Sequence, residues 1–174
     1  MAVKKSKKTT KTTTKKSVRT VKNKINIETL TEKIEKKPFE NVFEILLQFN
    51  FNSIFLICYD AKDAITGSYT YKENEWVKIV QENKKALKKI AIETKEDFNK
   101  IFPEVLPEEE LSLLKFEFNI GKNNYDLLLF TNQEIKLTQK DKNKLEYIKN
   151  VILLHIQIFL YKDTITEFEN KIKQ

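Results

Sequence analysis

The chain has 174 residues and a formal net charge of +7, but this charge is not spread evenly. Residues 1–24 contain nine Lys, one Arg and no acidic residue, which leaves 22 basic and 25 acidic residues in 25–174. Residues 25–174, called the body here, are slightly acidic and of ordinary domain size, which argues against a basic nucleic-acid-binding domain. A single cysteine excludes a disulfide framework and a cysteine metal cluster.

The N-terminal segment, residues 1–24, is a low-complexity tail rich in Lys and Thr. It has too few apolar side chains to offset the entropy of ordering a backbone, so we expect disorder. Its charge predicts contact with DNA, RNA or an anionic membrane surface, and its lack of aromatic residues predicts binding that is blind to sequence. The alternatives are a solvated tail that aids solubility and docking to an acidic protein. The candidate polyanion-binding residues are Lys4, Lys5, Lys7, Lys8, Lys11, Lys15, Lys16, Arg19, Lys22 and Lys24.

Residues 25–174 are expected to form one domain, which begins with two short helices and a hairpin. Apolar spacing from Ile25 to Ile34 predicts an amphipathic helix, and a second helix is predicted to begin at Pro38, since Pro is tolerated at the first helical position. Ser53–Tyr59 is apolar on both faces, which is typical of a central strand. Ala64–Lys72 alternates and predicts the second strand of the hairpin.

The middle of the body gives a mixed signal and then a clear second hairpin. The apolar residues of 73–92 favour a helix, although Lys89–Thr94 is also compatible with a short strand. Lys95–Phe102 is predicted to be a helix. Leu114–Ile120 alternates strictly, and Tyr125–Phe130 is predicted to return beside it as a buried strand.

A long helix is predicted over residues 138–173, with Thr138 and Asp141 spaced as a capping box. Two faces of this helix are apolar, so each needs a cover. One face, expected to pack on the sheet, carries Leu145, Ile148, Ile152, Ile156 and Phe159. The other is an unbroken heptad pattern, called the seam here, of Val151, Leu154, Ile158, Tyr161, Ile165, Phe168 and Ile172. The candidate partners of the seam are the helix over Ile27–Ile34 of the same chain and the same helix of a second chain. We expect a homodimer.

The order of these elements over residues 38–174 resembles a GAF domain, the small α/β sensor module related to PAS domains. The residues that carry the resemblance are FENVFEILLQFNFNSIFLICYD in the first half, and KFEFNIGKNNYDLLLFTN leading through LTQKD into the long helix. A PAS or roadblock/longin-type domain would share part of this pattern. The resemblance implies an α+β fold with a central, mostly antiparallel sheet, flanking helices and a long C-terminal helix.

GAF domains bind cyclic nucleotides, bilins, haem or small metabolites, or dimerise through terminal helices. This chain has no Asn-Lys-x-Phe-Asp-Glu motif, and no His adjoins Cys58, so the resemblance implies a degenerate domain kept for protein contacts and no cofactor is expected. The candidate lining residues of a small pocket, for which plain core packing is the alternative, are Tyr69, Tyr71, Trp76, Phe116 and Phe118.

The sequence predicts a protein that is not an enzyme. His155 is the only histidine and lies in an apolar helix, and Cys58 lies within a strand, so neither has a partner at catalytic spacing. No metal site is expected. The longest apolar run, Val151–Leu160, is shorter than the ~20 residues of a membrane span, and a cytoplasmic protein is expected. The function hypotheses are a dimeric assembly protein with a polyanion-binding tail, a small-molecule sensor, and a structural subunit of a larger bacterial complex.

Overall fold

The computed structural model describes residues 24–37, 40–79 and 91–173. These residues form an α+β fold, as predicted, and within them lie a five-stranded antiparallel sheet, four helices and a separate two-stranded parallel ladder. The elements in chain order are β1 (Lys24–Ile25), α1 (Ile27–Lys36), α2 (Val42–Gln48), β2 (Ser53–Tyr59), β3 (Ile65–Lys72), β4 (Glu75–Lys78), α3 (Lys95–Ile101), β5 (Ser112–Ile120), β6 (Asn123–Thr131), β7 (Glu134–Ile135) and α4 (Asp141–Ile172).

The main sheet has the strand order β4-β3-β2-β6-β5. Strand β2 lies at its centre because every one of its side chains is apolar or small enough to be buried on one face or the other. Leu56 pairs with Tyr69 of β3 on one side and with Leu127 of β6 on the other. The second predicted hairpin is confirmed: β5 and β6 pair along their length, and Gly121 adopts a φ of 63° in the turn between them.

The two faces of the sheet bury two separate cores. Helices α1, α2 and α4 cover one face, on which alternate residues of β2 and β6 meet Ile148, Ile152 and Ile156 of α4. Helix α3 and the segment that follows it cover the other face, with Phe98 packed on Phe55 and Phe130. A sheet that is covered on both faces accounts for the apolar runs of its two central strands.

Helix α4 is fixed to the body through its first half. Its three buried isoleucines, Ile148, Ile152 and Ile156, are completely shielded from solvent, and full burial of such a side chain contributes roughly 1.5–3 kcal/mol. Lys144 pairs with Glu28 of α1 at 2.6 Å. The prediction that this face packs on the sheet is therefore confirmed.

Three local predictions need correction. Helix α2 begins at Val42, and its cap is Asn41, whose side chain accepts a hydrogen bond from the Phe43 amide at 3.1 Å; Pro38 lies outside the described residues. Residues 75–78 form strand β4, because Glu73 and Asn74 take positive φ angles and turn the chain back along β3. Of the ambiguous stretch, residues 80–90 lie outside the described residues, and residues 91–93 form no strand.

The start of α4 also differs by three residues from the prediction. The helix begins at Asp141, with Thr138 in the turn before it. The predicted side-chain contact is nevertheless formed, because the Thr138 amide donates to Asp141 Oδ2 at 2.6 Å. This contact holds the pKa of Asp141 below its usual range.

Candidate ligand groove and association face

A groove of about 580 Å³ opens between the N-terminus of α2, the β3–β4 hairpin and α4. Its apolar wall consists of Phe43, Tyr71, Trp76, Phe159 and Ile158, the last of which also belongs to the seam. The Phe43 ring lies 4.9 Å from Trp76 and 5.1 Å from Tyr71, centre to centre. These rings support one another by edge-to-face and tilted packing, so the wall is preformed.

Polar groups form the rim of the groove. The Asn41 amide nitrogen donates to the Tyr71 hydroxyl at 2.7 Å, which fixes the ring in place. Lys162, Asp163 and His155 extend the rim along α4. The side chains together offer an aromatic surface with both charges at its edge, which suits a small ring-containing molecule with polar substituents.

Burial changes the titration of several groups around this groove. Burial raises the pKa of Tyr71, and the nearby Glu44 carboxylate acts in the same direction. Burial, followed by the Asp163 charge, raises the pKa of Tyr69 to about 12. Burial lowers the pKa of His155, whose ring packs edge-on against Phe43 at 6.2 Å. The groove therefore holds neutral rings at neutral pH.

The five predicted pocket residues do not lie together. Tyr71 and Trp76 line the groove. Tyr69 lies below it, packing on Phe159 and donating its hydroxyl to Asp163 Oδ2 at 3.3 Å. Phe116 and Phe118 lie on β5, at the opposite edge of the sheet, and belong to the buried core. Their alternation with polar residues predicted burial, but it contained no information on which cavity they would face.

Most of the residues that line the groove were not predicted to line a pocket. Asn41 and Phe43 precede the start of the β3–β4 hairpin by 24 and 22 residues. Lys162 belongs to a charged stretch that looks like ordinary helix surface. A sequence signal existed only for Asn41, since Asn before an apolar run is a common helix cap.

The seam is the second candidate site, and most of it is exposed. Val151 is half-buried, and the exposed fractions of the other six seam residues run from 45% at Ile158 to 84% at Ile172. Helix α1 does not cover them, because its own apolar residues, Ile27, Leu30 and Ile34, are buried in the core. Among the described elements, the alternative in which the seam packs within the monomer is therefore wrong.

The predicted polyanion-binding residues lie almost entirely outside the described residues, which begin at Lys24. Lys24 itself is not part of a disordered tail: it pairs with Glu134 in the parallel ladder of β1 and β7. The next residue, Ile25, is buried in the core. The folded body thus begins one residue earlier than predicted.

The groups with potential for chemistry are held in apolar or structural settings. Cys58 is buried, and burial raises the pKa of its thiol to about 12, which disfavours the nucleophilic thiolate. Within residues 24–37, 40–79 and 91–173, no three His, Cys, Asp or Glu side chains are grouped so as to bind a metal ion. In the same residues, no helix has both the length and the apolar character needed to span a membrane.

A buried carboxyl group lies at a second cavity, of about 460 Å³, near the start of α3. Glu110 is almost fully buried, and Ser53 donates to its Oε1 atom at 3.2 Å. Burial raises the pKa of Glu110. Lys95 binds the backbone oxygen of Glu110 at 3.0 Å, so its charge stays near this cavity.

Comparison with known proteins adds no assignment to these sites. No family model, no curated protein and no solved structure matches the chain.

Proposed function

We propose that this chain is a non-catalytic, GAF-like interaction protein that dimerises through α4 and contacts a polyanion through its basic N-terminal tail. The observation that carries the proposal is the exposed seam. Six large apolar residues, spaced as a heptad pattern, are exposed to solvent along one side of α4, and only the first part of this helix is packed into the core on its opposite side. Large exposed apolar patches of this kind mark association surfaces.

Sedimentation equilibrium at micromolar concentrations tests the association. Ile165→Glu places a charge in the seam and is expected to convert the dimer to a monomer. Burying an unpaired carboxylate costs more free energy than the burial of the neighbouring apolar side chains contributes. Asn170→Glu makes the same change of charge at an exposed position of the same helix outside the seam. It is expected to leave the dimer intact. A wild-type chain that stays monomeric throughout contradicts the proposal.

The tail is tested separately by a salt titration of binding to an oligonucleotide. The matched variant keeps the full chain and replaces the nine cations of residues 1–23 with Gln, which leaves the β1 residue Lys24 in place. The wild-type chain is expected to bind with a steep negative dependence on salt, because each neutralised phosphate releases about 0.7–0.9 counterions. Equal binding by both proteins contradicts a role for the tail.

The aromatic groove supports a second candidate function, in which the domain binds a small molecule. Its volume of about 580 Å³ lies within the usual range of ligand sites. Trp76 is the only tryptophan of the chain, so its fluorescence reports directly on this groove. Titration with adenosine, which does not emit in the range of tryptophan, is expected to shift the Trp76 emission in the wild-type chain and in Tyr161→Ala, but not in Tyr71→Ala. An unchanged spectrum counts against this candidate.

A further inference from the structure

We infer that two copies of α4 pair antiparallel along the seam, with the midpoint of the pairing between Phe159 and Leu160. This inference rests on the proposed dimerisation and adds its geometry. It starts from Tyr147, an exposed apolar residue of α4 seven positions before Leu154. Tyr147 continues the heptad pattern by one step, so the complete seam has eight residues between 147 and 172.

The eight residues are complementary to themselves when the chain is reversed. In the proposed register, the numbers of two facing residues add to 319. Tyr147 therefore faces Ile172 of the second copy, and Val151 faces Phe168. Leu154 then faces Ile165, and Ile158 faces Tyr161. Each residue of the seam has a partner in this register, and none is left over at either end.

The sizes of the side chains favour this orientation over the parallel one. In a parallel pair each residue meets its own copy, so Tyr161 and Phe168 stack ring on ring while Val151 meets a second valine. Pairs of facing aromatic rings would then need a wider gap between the two helices than the pair of valines, and two straight helices cannot provide both. In the antiparallel register every aromatic ring meets an aliphatic side chain, so the layers have similar widths and pack to an even density.

The two halves of α4 also complement each other in their environment. Residues 161–172 follow the buried stretch of α4, and all of them except Asp163, which accepts a hydrogen bond from the Tyr69 hydroxyl, are exposed. Antiparallel pairing places this extension of one copy beside residues 147–158 of the other, where the helix is anchored to its own core. The aligned peptide dipoles of the two helices then oppose each other, which is the favourable arrangement.

The flanking charges do not oppose the pairing. Beside the seam lie His155, Lys162 and Glu169 on one side and Gln157, Thr164 and Lys171 on the other. In the proposed register, Lys162 lies near His155 of the second copy, whose pKa is lowered by burial, and Lys171 lies near Asn150. Like charges are therefore not brought together.

The area of the seam is sufficient for a stable dimer. Its seven exposed members have exposed fractions between 37% and 84%. Taking the roughly 200 Å² of an aromatic side chain as an upper value for each residue, the seam offers at most about 800 Å² per chain. Two copies thus bury at most about 1,600 Å² in total, which lies within the range of specific interfaces.

Cysteine cross-linking of the full chain tests the orientation. Cys58 is buried, so the wild-type chain serves as the unlinked control. Tyr147→Cys and Ile172→Cys are prepared as single variants, one of them with a longer purification tag, and are oxidised alone and as a mixture. We expect a disulfide-linked heterodimer in the mixture and at least tenfold less linked product from Ile172→Cys alone, because about 37 Å separate the two copies of residue 172 in the antiparallel pair.

Each other outcome overturns the inference at a defined level. A self-linked Ile172→Cys dimer shows a parallel pair and overturns the orientation while the proposed dimerisation stands. A dimer by sedimentation with no linked product in any sample places the interface elsewhere. A monomer by sedimentation overturns the proposed dimerisation and this inference together.

Discussion

The first and second halves of α4 have similar apolar content and opposite environments. In the first half Ile148, Ile152 and Ile156 are fully buried, whereas in the second half Ile165, Phe168 and Ile172 have exposed fractions of 57–84%. The difference is in what lies beside the helix, since the packed core reaches α4 as far as Leu160 and the Tyr69–Asp163 hydrogen bond lies just beyond it. Apolar periodicity therefore indicates which side of a helix needs a cover, and the fold decides whether the same chain supplies it.

The largest expected effect compares one substitution in the two halves. Ile152→Ala leaves a cavity in a filled core and is expected to lower the free energy of unfolding by roughly 2–5 kcal/mol. Ile165→Ala removes an exposed side chain and is expected to change it by less than about 0.5 kcal/mol in the monomer. Urea denaturation at nanomolar concentration, followed by Trp76 fluorescence, measures both. Equal losses at the two positions contradict the contrast between the halves.

Hydrogen exchange measures the second half of α4 directly. An exposed helical extension is marginal in water, so the amides of residues 161–172 are expected to exchange faster than those around Ile152 in the monomer. At a total chain concentration of about 100 times the dissociation constant of the dimer, about 7% of the chain stays monomeric, so their exchange is expected to slow by roughly 15-fold. The Ile165→Glu variant should show no such dependence on concentration. Exchange that is slow at every dilution means that the extension is stable without a second copy.

The contrast also explains which parts of the molecule the sequence predicts well. Local patterns of apolar residues predict strands β2, β5 and β6 and the packed face of α4. The apolar runs of the central strands are those expected in a sheet that is covered on both faces. Strand β4 was ambiguous because a strand of four residues, Glu75–Lys78, is shorter than the window in which a period can be recognised. Its hairpin needs positive φ angles at both Glu73 and Asn74. Asn favours such a turn, but Glu rarely adopts this conformation, so the turn signal in the sequence is incomplete.

The candidate sites were predicted less completely than the fold. The seam residues were identified correctly as one apolar face, because a single helix contains them all. The groove was predicted only through Tyr71 and Trp76, which are cross-strand neighbours in one hairpin. Asn41 and Lys162 reach the same groove from two other helices, and that approach depends on how α2 and α4 cross the sheet. A likeness to a GAF domain stays a prediction from the order of elements.

The smallest expected effect is a pH dependence located at the boundary between the two faces of α4. His155 is the only histidine of the chain, and it is half-buried beside Phe43. Because burial lowers its pKa, the folded chain binds a proton there less readily than the unfolded chain. The stability linked to this group is therefore complete above the ordinary histidine pKa of about 6.5 and is lost as the pH falls below it.

The variant His155→Gln isolates this contribution. Glu75, Lys162 and Asp163 line the same groove, but they are common to both proteins, so their titration cancels in the difference. The wild-type chain is expected to lose more stability than the variant between pH 7 and pH 5, as measured by the urea midpoint at each pH. Parallel pH profiles would mean that the His155 ring is as well solvated as in the unfolded chain. The edge of the groove beside Phe43 would then be open to water in solution.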